Sequence, residues 1–281
     1  MRILLLICFL FSYTFGLQSF QNSAALPIVF VHGIGTGNHV WYPMLRELSL
    51  KPSHTFQLSF QSHHHFSIDQ PVSKQTNVWL LDYYTRDFIK ETLKNDLTVY
   101  ARRLTQAIDE IKHISKSEQV IIVGHSMGGL IVRKYMTLSK KNWQSVAAVI
   151  TLGSPHEGVL TSIPIVGQLR DLFVGSDFLD TLDQDWRDMD AVEPAKWFVV
   201  AAVKPPRGLK KITPTMTDLA GPGYVSLRSA MPNGEWRDVV GAPNRWTKGS
   251  FSIDYKLLLI DTHMGMLVNP MTLKLIKPLI F

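Results

Sequence analysis

The stretch VIIVGHSMGGLIV (120–132) sets one serine hydroxyl among three glycines. An apolar, β-branched run (119–124) leads into it, and a helical pattern (126–141) leads out. Gly124, Ser126 and Gly128 thus form G-x-S-x-G between a strand and a helix, the setting in which a serine is held on a tight, strained turn. The flanking glycines let neighbouring backbone pass where a Cβ would collide. Such a turn lifts Oγ to the carboxyl end of its strand, where open α/β sheets bind ligands. The Met127 amide opens the helix, so its N–H has no acceptor within the helix and the dipole there favours negative charge. The chemistry this suits is attack by Ser126 on a carbonyl, with Met127 as half of an oxyanion hole. The plainer reading is a glycine-rich turn with a helix-capping serine. His125, next to the serine, reads as a packing residue.

The surrounding elements must hold this turn. Runs 26–33, 119–124, 145–155, 197–203 and 255–261 read as strands buried on both faces, and 54–60 and 77–83 as weaker strands. Between 92 and 114, Leu93, Leu97, Tyr100, Ala101, Leu104, Ala107, Ile108 and Ile111 recur at helical spacing. Strands alternating with helices imply an α/β fold, a mostly parallel central sheet with helices on both faces. Segment 157–196 breaks the alternation. It is amphipathic and helical and reads as an insertion over one edge of the sheet.

The 281 residues suit a single domain over 26–281, behind a leader. Residues 1–16, with Arg2 before an apolar run, read as a signal peptide cleaved after Gly16 or as late as Ala25. The reading is of an exported protein, periplasmic or secreted. The single cysteine, Cys8, lies in that leader, so the mature chain has no disulfide, thiol nucleophile or cysteine metal site. Formal charge is +6, and 28 − 23 = +5 without Arg2. This mild excess is scattered. It argues against nucleic acid and is compatible with peripheral contact to an anionic membrane. His63, His64 and His65 are adjacent and cannot readily converge on one ion, so they read as a polar loop; no metal and no cofactor is expected.

With these motifs in this order, the chain resembles the lipases and esterases of the α/β-hydrolase superfamily. VHGIGTG (31–37) is similar to the family's HG motif, GHSMGG (124–129) to its nucleophile elbow, LGSPHEG (152–158) to a T/S-P-H-x-G stretch, and DTHMGML (261–267) to the segment carrying the catalytic histidine. The resemblance implies hydrolysis of carboxylic esters through an acyl-serine intermediate. Chain order in that fold, serine then acid then histidine, implies His263 as the general base. The amide of Ile34, after the HG pair, would be the second oxyanion donor, with His32 bracing the loop.

The acid departs from the family pattern. Pro222 stands where an aspartate is usual, so Asp218 in the same loop is the nearest carboxylate. Asp261, Asp254, Asp190 and Glu193 are rivals, and a Ser-His dyad is the remaining option. The 157–196 insertion falls where the family carries a lid, so Phe173 and Phe178, with Trp41 after the oxyanion loop, are candidate substrate contacts. An apolar lid and a basic surface suit lipid or medium- to long-chain acyl esters. Phospholipase, acyl-thioesterase and lipid-anchor inositol deacylase activities share the same attack. A non-catalytic binding protein that keeps the fold is the reading from another class.

Overall fold

The computed structural model describes residues 26–71, 77–85, 88–159, 167–203, 225–231, 244–246 and 253–281. The leader, residues 163–166, Asp218 and Pro222 lie outside the described residues.

Among the described residues nine strands form one sheet: β1 (Ile28–Val31), β2 (Phe56–Phe60), β3 (Phe66–Asp69), β4 (Val78–Asp82), β5 (Val120–His125), β6 (Val146–Leu152), β7 (Trp197–Val203), β8 (Asn244–Trp246) and β9 (Ile253–Ile260). Their order is β3-β2-β4-β1-β5-β6-β7-β9-β8. Neighbours are parallel apart from the two edge pairs, β2 with β3 and β8 with β9. The architecture is the mostly parallel α/β sheet that the alternating pattern indicates, in the arrangement that the resemblance to α/β-hydrolases implies. The short edge strands β3 and β8 carry no apolar run of their own and were not legible.

The central strands read as unbroken apolar runs because both faces are covered. On one face Val29, Val31, Trp79, Leu81, Ile122 and Val199 pack under helices; on the other Ile28, Phe30, Leu80, Val123 and Val200 pack with Trp41, Met44 and Leu45. The first face is roofed by α3 (Leu97–Ser115) and α4 (Met127–Thr137); α1 (Tyr42–Glu47) lies on the second. The single helix expected over 92–114 is two. α2 (Phe88–Lys94) ends before Asp96, whose side chain accepts from Val99 N–H and restarts the chain as α3. Capping by Asp96 outweighs the continuous apolar spacing. After α4, Ser139 caps α5 (Lys140–Gln144).

The insertion divides into two parts. α6 (Gln168–Asp171) sits near α2, and Val159 and Phe173 form a parallel bridge. α7 (Asp177–Val192), expected as part of a cover over a cleft, is instead a core helix. Its Leu182 and Trp186 are fully buried against α4. The Arg133 guanidinium of α4 lies over both the Trp186 and Trp197 rings, whose centroids are 5.0 Å apart, and donates to Asp183 at 2.8 Å, and Lys134 pairs with Asp185 at 3.1 Å. The part of the apolar pattern that falls in α7 is therefore this helix's inner face. Leu179, and part of Phe178, join the same core.

Trp186→Ala should therefore cost about 3–5 kcal/mol of stability, read from urea unfolding. A change near zero, with activity lost only on long-chain esters, would return α7 to a lid.

Candidate active site

β1, β5, β6, β7 and β9 run parallel and end together, and the candidate residues follow their carboxyl ends. Ser126 stands between β5 and α4 with φ 54° and ψ −127°, an uncommon backbone for a residue with a side chain. Its amide donates to Leu152 O at 2.9 Å, tying the turn to the end of β6. Its Oγ makes no cap hydrogen bond to α4, although Ser126 occupies the N-cap position. A capping serine would spend its hydroxyl there. The glycines are required sterically. A Cβ on Gly124 would lie 2.8 Å from Gly129 N, and one on Gly128 would strike the carbonyls of Val31 and His32.

The loop after β1 lies directly against the serine. A Cβ on Gly33 would stand 2.8 Å from Ser126 Cβ and 3.4 Å from its Oγ. The Gly33 carbonyl accepts from Tyr83 OH at 3.1 Å, Thr36 Oγ1 at 3.0 Å and His32 Nδ1 at 2.8 Å. Tyr83 also donates to His32 O at 3.0 Å, and its ring stacks on His32 at 4.1 Å and 14°. His32 is fully buried, with Nε2 3.2 Å from Asp82 Oδ1. In a trans peptide the N–H and C=O point to opposite sides, so pinning the Gly33 carbonyl fixes the Ile34 N–H away from Tyr83. Gly35, at φ 68°, lets the chain turn immediately afterwards. Burial, then the neighbouring Tyr84, holds the Tyr83 hydroxyl well above its ordinary range, so it remains a donor. Tyr83, Asp82 and Thr36 were not singled out from sequence. The only signal is an aromatic pair, Tyr83-Tyr84, just past the end of a buried strand.

His263 lies in the loop after β9. Its ring centroid is 4.6 Å from that of His125, and its Nδ1 is 3.2 Å from where a Cβ on Gly153 would stand. His125 Nε2 donates to the His263 carbonyl at 3.2 Å, so the residue read as packing also clamps the loop that carries the histidine. Burial first, then the nearby His263, holds His125 well below the usual histidine range, so it is neutral. The rival acids are placed by the topology. Asp261 Oδ1 accepts from Thr262 N at 2.7 Å and its Oδ2 from Asn269 at 2.8 Å, so both oxygens brace their own loop. Asp254 is the second residue of β9, about 20 Å of strand before the end at Ile260. Asp190 accepts from Ala195 N and Glu193 from Gln144, both at the amino end of β7, the far edge of the sheet. Asp218 is outside the described residues.

Trp41 is wholly buried against Phe30 and edge-on to His125, so it offers no surface to a ligand here and serves the core. Phe178 packs partly on the core, and Phe173 is half-buried in the bridge to Val159. In the turn between β2 and β3, His63 Nδ1 accepts from Arg103 at 3.1 Å and His65 Nδ1 lies 3.1 Å from Ser62 Oγ. Among the described residues no three His, Cys, Asp or Glu side chains are placed to hold a metal. A cavity of about 260 Å³ beside Trp143, Glu193 and Lys196 opens at the amino ends of β6 and β7 and is remote from Ser126.

The family model described as "PGAP1-like alpha/beta domain" matches residues 22–174. A GPI inositol-deacylase of Debaryomyces hansenii is 27% identical over 147 residues, 50% of this chain and 13% of that protein. One of Neurospora crassa is 22% identical over 266 residues, 87% of this chain and 19% of that protein. The chain thus spans less than a fifth of the length of these relatives. Among solved structures, a Listeria innocua gene product superposes with a TM-score of 0.60 at 14% identity, covering 89% of this chain and 92% of that one. The mature lipase BlEst2 of Bacillus licheniformis gives 0.57 at 16% identity, covering 92% and 94%. Both show the fold.

Two predictions follow from the geometry. Tyr83→Phe keeps the stacked ring but frees the Gly33 carbonyl, and should lower kcat on a soluble ester about tenfold with KM little changed. An unchanged kcat would mean that Thr36 and His32 hold the peptide alone. Burial also keeps His156 far below the usual histidine range, as it does His125. Unfolding frees both to protonate near pH 6.5. Their contribution is complete above that pH and is lost as pH falls toward their depressed folded values. Unfolding free energy should therefore fall between about pH 7.5 and 5.5. A flat profile in urea titrations would show that the two are not neutral when folded.

Proposed function

The chain belongs to the PGAP1-like alpha/beta domain family, and from that premise we propose that it is an exported serine hydrolase cleaving a carboxylic ester of a lipid, an acyl group carried on an inositol headgroup. The observation that carries this reading is Ser126, whose left-handed turn leaves Oγ uncommitted to the helix that follows, beside the loop of Gly33. The relatives' names, GPI inositol-deacylase, support the acyl-inositol substrate.

In this reading His263 takes the proton from Ser126 Oγ as the oxygen adds to the acyl carbonyl. Charge on the carbonyl oxygen falls to the amides of Met127 and Ile34. Collapse breaks the ester bond, and the inositol oxygen leaves with the proton from His263. Water, deprotonated by the same imidazole, then attacks the acyl-serine, and a fatty acid is released. Asp218 would orient His263 and stabilise its charged form, as a triad acid does.

The test is fatty acid release by the purified chain from three substrates: p-nitrophenyl octanoate, triacylglycerol, and phosphatidylinositol carrying a palmitoyl ester on its ring. Release from the octanoate and the acyl-inositol lipid should exceed release from triacylglycerol, and Ser126→Ala should lose more than about 10³-fold. Preference for triacylglycerol would make the chain a lipase. No release from any ester would remove the hydrolase reading.

A further inference from the structure

Large apolar side chains left in solvent are concentrated at one edge of the sheet. Among the described residues seven are strongly exposed, and five of them, Ile89, Leu93, Val174, Met264 and Val268, belong to segments that follow the carboxyl ends of β4, β6 and β9. This is the edge that carries Ser126 and His263. The other two, Val192 and Phe281, lie at the far end of α7 and at the last residue.

Helix α2 is the sharpest part of this edge. It begins shortly after Asp82 and Tyr83, the residues that brace the oxyanion loop. Its sequence, FIKETLK, separates charge by face. Glu91, its only acid, is turned inward and buried. There Glu91 takes Arg103 Nη1 at 2.8 Å, Arg103 Nη2 at 3.0 Å and Asn95 Nδ2 at 2.6 Å, and its carbonyl accepts from Tyr100 OH at 3.1 Å. Hydrogen bonds from Arg103 and Thr85 outweigh desolvation and hold the Glu91 carboxyl below its ordinary range, so it remains the charged partner of Arg103. The helix is thereby anchored by its inner face. What it presents outward is Ile89 and Leu93, one turn apart, beside Lys90 and Lys94, also one turn apart. Residue 167, the glycine that opens α6, packs against the backbone of Thr92 and Leu93, and Arg170 three residues on is exposed, its Nε 3.9 Å from Asp171 Oδ1. The exposed charges of α2 and α6 are therefore all positive, because Glu91 and Asp171 are buried.

We propose that α2 docks the protein on an anionic phospholipid bilayer, with Ile89 and Leu93 entering the headgroup boundary and Lys90 and Lys94 meeting lipid phosphates. Apolar groups set beside lysines match that boundary, where both burial and charge contribute. A water-facing helix gains nothing from two exposed aliphatic side chains on one stripe. Docking by this edge would bring the Ser126 opening to the membrane. This rests on the lipid-ester reading for its purpose, though not for its chemistry.

The test is co-sedimentation of the whole chain with phosphatidylcholine vesicles, with and without phosphatidylglycerol, beside hydrolysis of soluble p-nitrophenyl acetate. The chain should bind the mixed vesicles at least about tenfold more tightly than the neutral ones. Ile89→Ser/Leu93→Ser and Lys90→Gln/Lys94→Gln should each weaken that binding about tenfold or more, each lysine contributing roughly fivefold. Soluble-ester rates should stay within about twofold of the parent. Equal binding by parent and variants, or none by the parent, overturns the proposal. So does a dimer seen by sedimentation equilibrium that binds no vesicles and dissociates in Ile89→Ser/Leu93→Ser, since the face would then join two copies. Vesicle binding without hydrolysis of any ester removes the enzymatic reading and leaves the docking in place.

Discussion

The backbone of Ser126 is the constraint on which the site depends. A side-chain-bearing residue at φ 54° costs about 1–3 kcal/mol. It persists because the chain on each side is fixed by larger forces: β5 is buried between β1 and β6, and α4 is packed under α3 and α7. The sharp reversal also needs backbone to touch backbone. Gly124 against Gly129 and Gly128 against the carbonyls of Val31 and His32 leave no room for a methyl group. The strain is thus met by a sheet and a helix whose apolar faces are satisfied elsewhere, and the serine hydroxyl is left uncommitted to α4.

The second level is a set of buried polar groups that hold backbone in place. Tyr83, Thr36 and His32 converge on one carbonyl, that of Gly33. His125 holds another, that of His263. Out of bulk water such bonds keep direction, since breaking one leaves a polar group without a partner. A pinned Gly33 carbonyl fixes the amide next to it, and a pinned His263 carbonyl fixes the loop bearing the imidazole. The catalytic groups proposed here therefore sit on segments set by neighbours that never touch a substrate.

Much of this was legible in sequence, for physical reasons. The central strands are buried on both faces and so read as unbroken apolar runs, and G-x-S-x-G is forced by sterics that few other residues satisfy. What did not show was set by local or tertiary competition. Asp96 divided one apolar periodicity into α2 and α3 by satisfying Val99 N–H. The amphipathic 157–196 segment could not say whether it faced a cleft or a core; for its α7 part, Arg133, lying over two tryptophan rings and paired to Asp183, decides for the core. Trp41 was close in sequence to the oxyanion loop, but its ring goes beneath the sheet. Tyr83 shows in sequence only as half of an aromatic pair, because a hydrogen bond to a carbonyl across fifty residues has no periodicity.

The central claim is that Ser126 is an activated nucleophile. The most direct measurement is the mass of the chain and of its peptides after treatment with a p-nitrophenyl alkylphosphonate, whose phosphorus forms a stable bond with an attacking serine oxygen. The account predicts one adduct per chain, on the peptide that contains Ser126, formed far more slowly in His263→Ala. No adduct, or an adduct on another residue, would contradict it.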